Sequence, residues 1–285
     1  MTGAAGTAQT VAGRGATLQT FRYGSTSPGA PTVLLVHGYP DDHHLYDPLI
    51  AELGDDLRIV SYDYRAAGSS RVERPAGLDS YRLPLLADDL YAVAASIPGA
   101  GRIHLFAHDW GSIQAWEAMR DPRAARTFAS YTSVSGPSID HLRLFLRRNL
   151  PRPGRWPVIA GQLLRSWYVF GYAVPGLRTA TRHAYRAAGR DDFRGLDVRA
   201  DLARGVDLYR ANILQRMITG PPPSCPVPVT LVVPTRDRFL SVHLADGVRE
   251  WAPHLDVVRV DAGHWWPRTH PAEAAAVLRA RIGAS

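Results

Sequence analysis

Short, almost wholly apolar runs recur along this chain, and they leave few folds open to it. Thr32 to Val36 (T-V-L-L-V) ends at His37-Gly38, and Ile103 to Ala107 (I-H-L-F-A) ends at a second turn. Such a run has no polar face, which suits a parallel strand covered on both sides. Leu57 to Asp63, Phe128 to Ser135, Val227 to Val233 and Leu255 to Val260 read the same way, and Thr17 to Tyr23 reads as an opening strand. Between them, Leu83 to Ile97, Gly111 to Arg120, Leu244 to Trp251 and Pro271 to Ile282 carry helical spacing. Strands alternating with helices predict a parallel sheet flanked by helices on both faces.

The alternation fails after Gly136-Pro137 and resumes only beyond Gly220-Pro221-Pro222-Pro223. The intervening block is rich in Arg, Leu, Tyr and Trp and shows no strand. It predicts a helical cap, residues 137–226, inserted into a core of residues 1–136 and 227–285. At 46% hydrophobic and 21% charged residues, the 285-residue chain supports a globular core. Cys225 is the single cysteine, so no intrachain disulfide forms, which fits a reducing compartment. The first twenty residues lack the apolar stretch of a signal peptide, and no run approaches the roughly 18 apolar residues of a membrane helix. A soluble, cytoplasmic protein without a membrane partner is expected. The net charge of +7 is mostly arginine, with many arginines between Arg143 and Arg210. No nucleic-acid motif accompanies them, so they read as a solvated surface and no nucleic-acid partner is expected.

Four loops carry the chemistry. Ala107-His108-Asp109-Trp110-Gly111 lies between a strand and a helix and has the small-x-nucleophile-x-small pattern of a nucleophile elbow. The tight turn leaves no room for large side chains two positions either side of the central residue. It exposes that residue, here Asp109, and aims the Trp110 N–H at a reacting oxygen. His37-Gly38-Tyr39-Pro40 follows the first buried strand, where Tyr39 is placed to give a second oxyanion donor. Pro234-Thr235-Arg236-Asp237-Arg238 and Asp261-Ala262-Gly263-His264-Trp265 follow later strands. The order nucleophile, acid, histidine makes His264 the general base and Asp237 the residue that fixes its tautomer. Asp140 is a weaker substitute for that acid.

These motifs resemble the epoxide hydrolase and haloalkane dehalogenase branch of the α/β-hydrolases, most of all bacterial epoxide hydrolases. Some of those are fused to a short-chain dehydrogenase, a second domain not expected here. The resemblance runs from about Phe21 to the C-terminus. It implies a mostly parallel, eight-stranded sheet with an inserted cap. It also implies two cap tyrosines that hydrogen-bond the epoxide oxygen. Ser166-Trp167-Tyr168 and Leu208-Tyr209-Arg210-Ala211-Asn212 match their segments, and Tyr172 is a substitute for Tyr168. An opened epoxide leaves an alkoxide, which needs a proton donor that carries no charge of its own.

The expected activity is hydrolysis of an epoxide to a vicinal diol through an alkyl ester on Asp109, with no cofactor and no metal. His37, Trp167, Tyr172 and Trp265 are expected against the substrate, an apolar or aromatic epoxide, and a homodimer is left open. A haloalkane dehalogenase, with the indoles of Trp110 and Trp167 on the halide, is the alternative. A non-catalytic binding protein ranks below it, because all three triad residues are kept. The Asp63-to-Ser70 loop departs from the family pattern at Ala66, where glycine is usual, and reads as structural.

Overall fold

The computed structural model describes residues 6–65, 67–73, 77–174, 177–188 and 204–284. Its centre is a nine-stranded sheet in the order β1-β2-β4-β3-β6-β7-β8-β9, with a short β5 paired to β2. The strands are β1 (Thr7–Gly13), β2 (Ala16–Gly24), β3 (Thr32–Val36), β4 (Arg58–Tyr62), β5 (Arg71–Val72), β6 (Ile103–His108), β7 (Phe128–Val134), β8 (Val229–Pro234) and β9 (Leu255–Val260). β4, β3, β6, β7, β8 and β9 pair in parallel, while β2 runs antiparallel to β1, β4 and β5. The fold is therefore the expected helix-flanked, mostly parallel sheet. Every residue of β3, β6 and β7 is buried, which is why these strands lack a polar face.

The sheet has nine strands where eight were expected, and two of the elements that differ from the sequence expectation have a clear physical cause. β1 was not expected, because T-A-Q-T-V-A-G has little apolar content. It is an exposed edge strand held by its backbone ladder to β2, from Thr7↔Arg22 to Gly13↔Ala16. The helix expected over Leu244 to Trp251 is instead two short 3-10 turns, Val242–Ala245 and Val248–Glu250. Gly247, at φ 86°, stands between them in the left-handed region and breaks the helix.

Between β7 and β8 the chain forms only helices among its described residues: Ile139–Asn149, Trp156–Arg165, Trp167–Ala173, Arg178–Ala188 and Val206–Thr219. Ser138 opens the first with a capping box shared with His141. Side chains tie this cap to the ends of the strands. Gln162 donates to the Phe239 carbonyl (3.1 Å) and accepts from the Ser241 N–H (2.7 Å). Asn212 accepts from the Leu83 N–H (2.9 Å) and donates to the Tyr81 carbonyl (2.8 Å).

Candidate active site

The C-terminal ends of β3, β6, β8 and β9 converge beneath the cap. β6 runs into Asp109, which has φ 50° and ψ −121° and precedes the helix Trp110–Ala118. A non-glycine residue in this region is strained, and such strain persists only where the surroundings impose it. Close packing imposes it here. A Cβ on Gly111 would lie 2.2 Å from the Val36 carbonyl oxygen and 2.3 Å from that of His37. Ala107, the other small position, is fully buried.

The Tyr39 N–H donates to Asp109 Oδ1 at 2.8 Å, which brings the loop after β3 onto the carboxylate. Trp110 heads its helix, so its N–H has no acceptor within that helix. Gly38 makes the approach possible, since a Cβ there would stand 2.5 Å from the Asp109 side chain. His264 lies on the opposite side, with Nε2 3.6 Å from Asp109 Oδ2, a charge contact longer than a hydrogen bond. Its Nδ1 pairs with Asp237 Oδ2 at 2.8 Å. The other Asp237 oxygen accepts from the N–H groups of Phe239 (2.7 Å) and Leu240 (3.0 Å), which fixes the carboxylate.

The electrostatics follow from this packing. Burial opposes a charge on His264, but Asp237 and Asp109 outweigh it and push the imidazole up to about 10. Burial likewise opposes the charge on Asp237, and His264 with the two backbone donors holds its carboxyl below the ordinary value. His108 is pushed down to about 4 by burial and the neighbouring His264. It lies 2.9 Å from the His264 carbonyl and, as a neutral ring, donates to it from Nε2, which steadies the histidine loop.

The cap contributes a group of tyrosines. Tyr168 and Tyr209 are buried with ring centroids 5.8 Å apart, and Tyr209 stands edge-on to Trp110 (4.9 Å) and Tyr39 (5.3 Å). Burial raises both phenols well above their ordinary value, and the Asp109 carboxylate adds to the rise. The Tyr209 hydroxyl is buried beside the Tyr168 phenol. The Tyr172 and Tyr39 hydroxyls are 3.3 Å apart, so Tyr172 packs on the oxyanion loop.

The remaining candidates fall in different places. His37 is stacked on Tyr64 (4.6 Å) with Nε2 3.7 Å from Asp63 Oδ1. Trp265 is buried between His264 and Phe239 and donates its indole N–H to Asp41 at 2.8 Å. Trp167 is 41% exposed and touches Tyr168 at its edge. Asp140 pairs with Arg216 (3.0 Å) and Arg143 (3.5 Å), not with His264. The Asp63 loop is braced by neighbours, with Arg65 bidentate on Asp89 at 2.7 and 2.8 Å. Ala66 in that loop lies outside the described residues.

Three residues that the sequence did not flag also belong to the site. Tyr185 packs on Tyr168 (4.8 Å) and Phe239 (5.0 Å), Phe239 reaches His264 (5.1 Å), and Asp41 anchors Trp265. Phe239, two positions past Asp237, and Asp41, next to the Tyr39-Pro40 turn, had spacing as a signal. Tyr185 had none.

The chain is similar to known proteins. The family model for the alpha/beta hydrolase fold matches residues 31–271. A Mycobacterium tuberculosis protein named probable oxidoreductase EphD is 35% identical over 277 residues, covering 90% of this chain. The chain spans 46% of that relative's length. The AB hydrolase superfamily protein YfhM of Bacillus subtilis is 25% identical, with 85% of this chain and 86% of the relative covered. Among solved structures, an epoxide hydrolase from Bacillus megaterium with its diol product superposes with a TM-score of 0.78. It is 21% identical and covers 96% of this chain and 100% of its own. The sheet, the family match and the loops that meet at Asp109 agree, and the chain belongs to the α/β-hydrolase fold family.

Proposed function

We propose that the chain hydrolyses epoxides to vicinal diols through a covalent alkyl ester on Asp109. The observation that carries this reading is the pair of buried cap phenols, Tyr168 and Tyr209, with ring centroids 5.8 Å apart and Tyr209 edge-on to Trp110 beside Asp109; burial first, and then the Asp109 carboxylate, keeps both phenols neutral. A carboxylate attacks saturated carbon without first losing a proton. The ring C–O bond breaks as the Asp109–carbon bond forms, and the electron pair goes to the ring oxygen. Neutral phenols donate to that oxygen without a charge to desolvate. Relatives named as epoxide hydrolases support the substrate class, among them epoxide hydrolase A of Mycobacterium tuberculosis, 34% identical over 92 residues.

The proton count closes around His264. In the free site the Asp109 charge helps hold its proton. Esterification removes that charge, so the imidazole gives up a proton as the ring oxygen gains one through the phenols. The neutral imidazole, still oriented by Asp237, then takes a proton from water. The hydroxide attacks the Asp109 carbonyl, and the Tyr39 and Trp110 N–H groups receive the oxyanion. Collapse breaks the bond from the Asp109 carbonyl carbon to the ester oxygen, the proton of the newly added hydroxyl passes to that leaving oxygen, and the diol departs with the Asp109–His264 ion pair restored.

The test separates the two half-reactions. His264→Phe, mixed with a panel of epoxides, is expected to accumulate an adduct on the Asp109 peptide by mass spectrometry and to release no diol. No adduct, together with retained turnover in Asp109→Ala, overturns the proposal. Halide release from haloalkanes without diol formation would replace the substrate class and keep the nucleophile.

A further inference from the structure

The cap helices Trp156–Arg165 and Trp167–Ala173 have two unlike faces. Ile159, Gln162, Tyr168 and Tyr172 point inward and are buried. On the other side Trp156 is 57%, Leu164 74% and Phe170 60% exposed, and Leu163, Trp167 and Val174 are exposed as well. Positions 156, 160, 163, 164, 167, 170 and 174 are exposed and follow one helical stripe across the Ser166 junction. Backbone bonds from the Ser166 N–H to the Gln162 carbonyl and from the Val169 N–H to the Ser166 carbonyl, both 3.0 Å, carry the turn through. Single exposed apolar residues are ordinary on a protein surface, but a continuous stripe of Trp, Leu and Phe marks a contact surface.

The charge around the stripe identifies the partner. Between Asp140 and Asp191 the sequence holds ten arginines and no acidic residue. Arg148 and Arg155 are drawn to Glu250 and Asp246 of the core. Arg147, Arg152, Arg165 and Arg186 are exposed and form no ion pair among the described residues. Arg152 lies four residues before Trp156 and Arg165 follows Leu164, so aromatic and aliphatic side chains share this segment with unpaired guanidinium groups, a combination that matches an anionic lipid surface. Rings and leucines enter the headgroup layer while arginines meet phosphates.

We propose that the outer face of these two helices docks the protein peripherally on anionic lipid membranes. A nucleic acid would use the arginines but leave Leu163, Leu164 and Val174 uncovered. A second copy would bring an equally positive patch onto this one, which a symmetric interface penalises. No helix among the described residues is long and apolar enough to cross a membrane, and surface docking needs none. The expectation of no membrane partner rested on the lack of a spanning run. The arginines read as a solvated surface because the apolar stripe between them is not visible until the helices are placed.

Flotation of the full chain with vesicles tests the proposal. Binding is expected to equimolar phosphatidylcholine and phosphatidylglycerol and not to phosphatidylcholine alone, and it should weaken as salt rises. The variant Trp156→Ser, Leu164→Ser, Phe170→Ser is expected to lose at least about tenfold in affinity while keeping its Tm. A second variant, Arg147→Gln, Arg152→Gln, Arg165→Gln, is expected to flatten the salt dependence, and it reports on the face even if the first variant unfolds. No flotation with the anionic vesicles at low salt overturns the proposal, as does equal flotation of both variants and the wild type. A wild-type dimer that the serine variant converts to monomer in sedimentation velocity would assign the face to a second copy.

Discussion

Two carboxylates, Asp237 and Asp109, favour the proton on His264, and in the proposed reaction only Asp109 is consumed as an ester. Removing the Asp109 charge without changing its shape should mimic that step. Asp109→Asn is expected to lower the His264 titration below the value near 10 that burial, Asp237 and Asp109 set together. The imidazole resonances followed by NMR across pH check this, and an unmoved titration would mean that Asp237 alone holds the proton. The sign for stability follows from the raised value. The His264 contribution is fully present below the ordinary histidine value and is lost as pH rises through about 10, because the folded state then releases its extra proton. Chemical denaturation of the wild type and Asp109→Asn, measured from neutral to alkaline pH, should show the wild type losing more stability over that window.

The elbow works as an element because β6, a tight turn and a helix are locked against the loop after β3. Gly111→Ala puts a methyl group against two backbone carbonyls that cannot turn aside. It is expected to cost more than the roughly 1–3 kcal/mol typical of overpacking, seen as a lowered Tm and a poorly folded product. Gly38→Ala meets the movable Asp109 side chain and the His108 carbonyl. It should keep more of the fold and lose activity through a displaced carboxylate. The elbow was legible in the sequence because such a turn admits only small residues at Ala107 and Gly111, so its geometry is written as residue size. The 3-10 turns around Gly247 were not legible. An apolar stretch with helical spacing reads as a helix until a single left-handed glycine interrupts it, and spacing does not reveal φ.

Core and cap meet over Asp109, which keeps only 8% of its surface exposed. Asn212 ties the helix that carries Tyr209 to the start of the helix at Leu83. Asn212→Leu leaves the Leu83 N–H and the Tyr81 carbonyl unpaired. It is expected to cost about 1–3 kcal/mol in denaturant unfolding and to lower kcat, because Tyr209 stands one turn away. Retained kcat with lowered stability would show that Asn212 holds the cap without aligning the phenol. Residue type along the chain was enough to specify the parallel sheet, the helical insertion and the four loops that bear Asp109, Tyr39, Asp237 and His264, because buried strands and tight turns restrict residue type locally. The packing of the cap emerged from the three-dimensional arrangement. That arrangement packed Tyr168 against Tyr209 and Tyr209 against Trp110 and Tyr39, turned His37 toward Asp63, gave Asp140 to Arg216, and left Trp156, Leu164 and Phe170 exposed. Those choices depend on which face of a helix meets which neighbour far along the chain, and no local pattern of residue types specifies that.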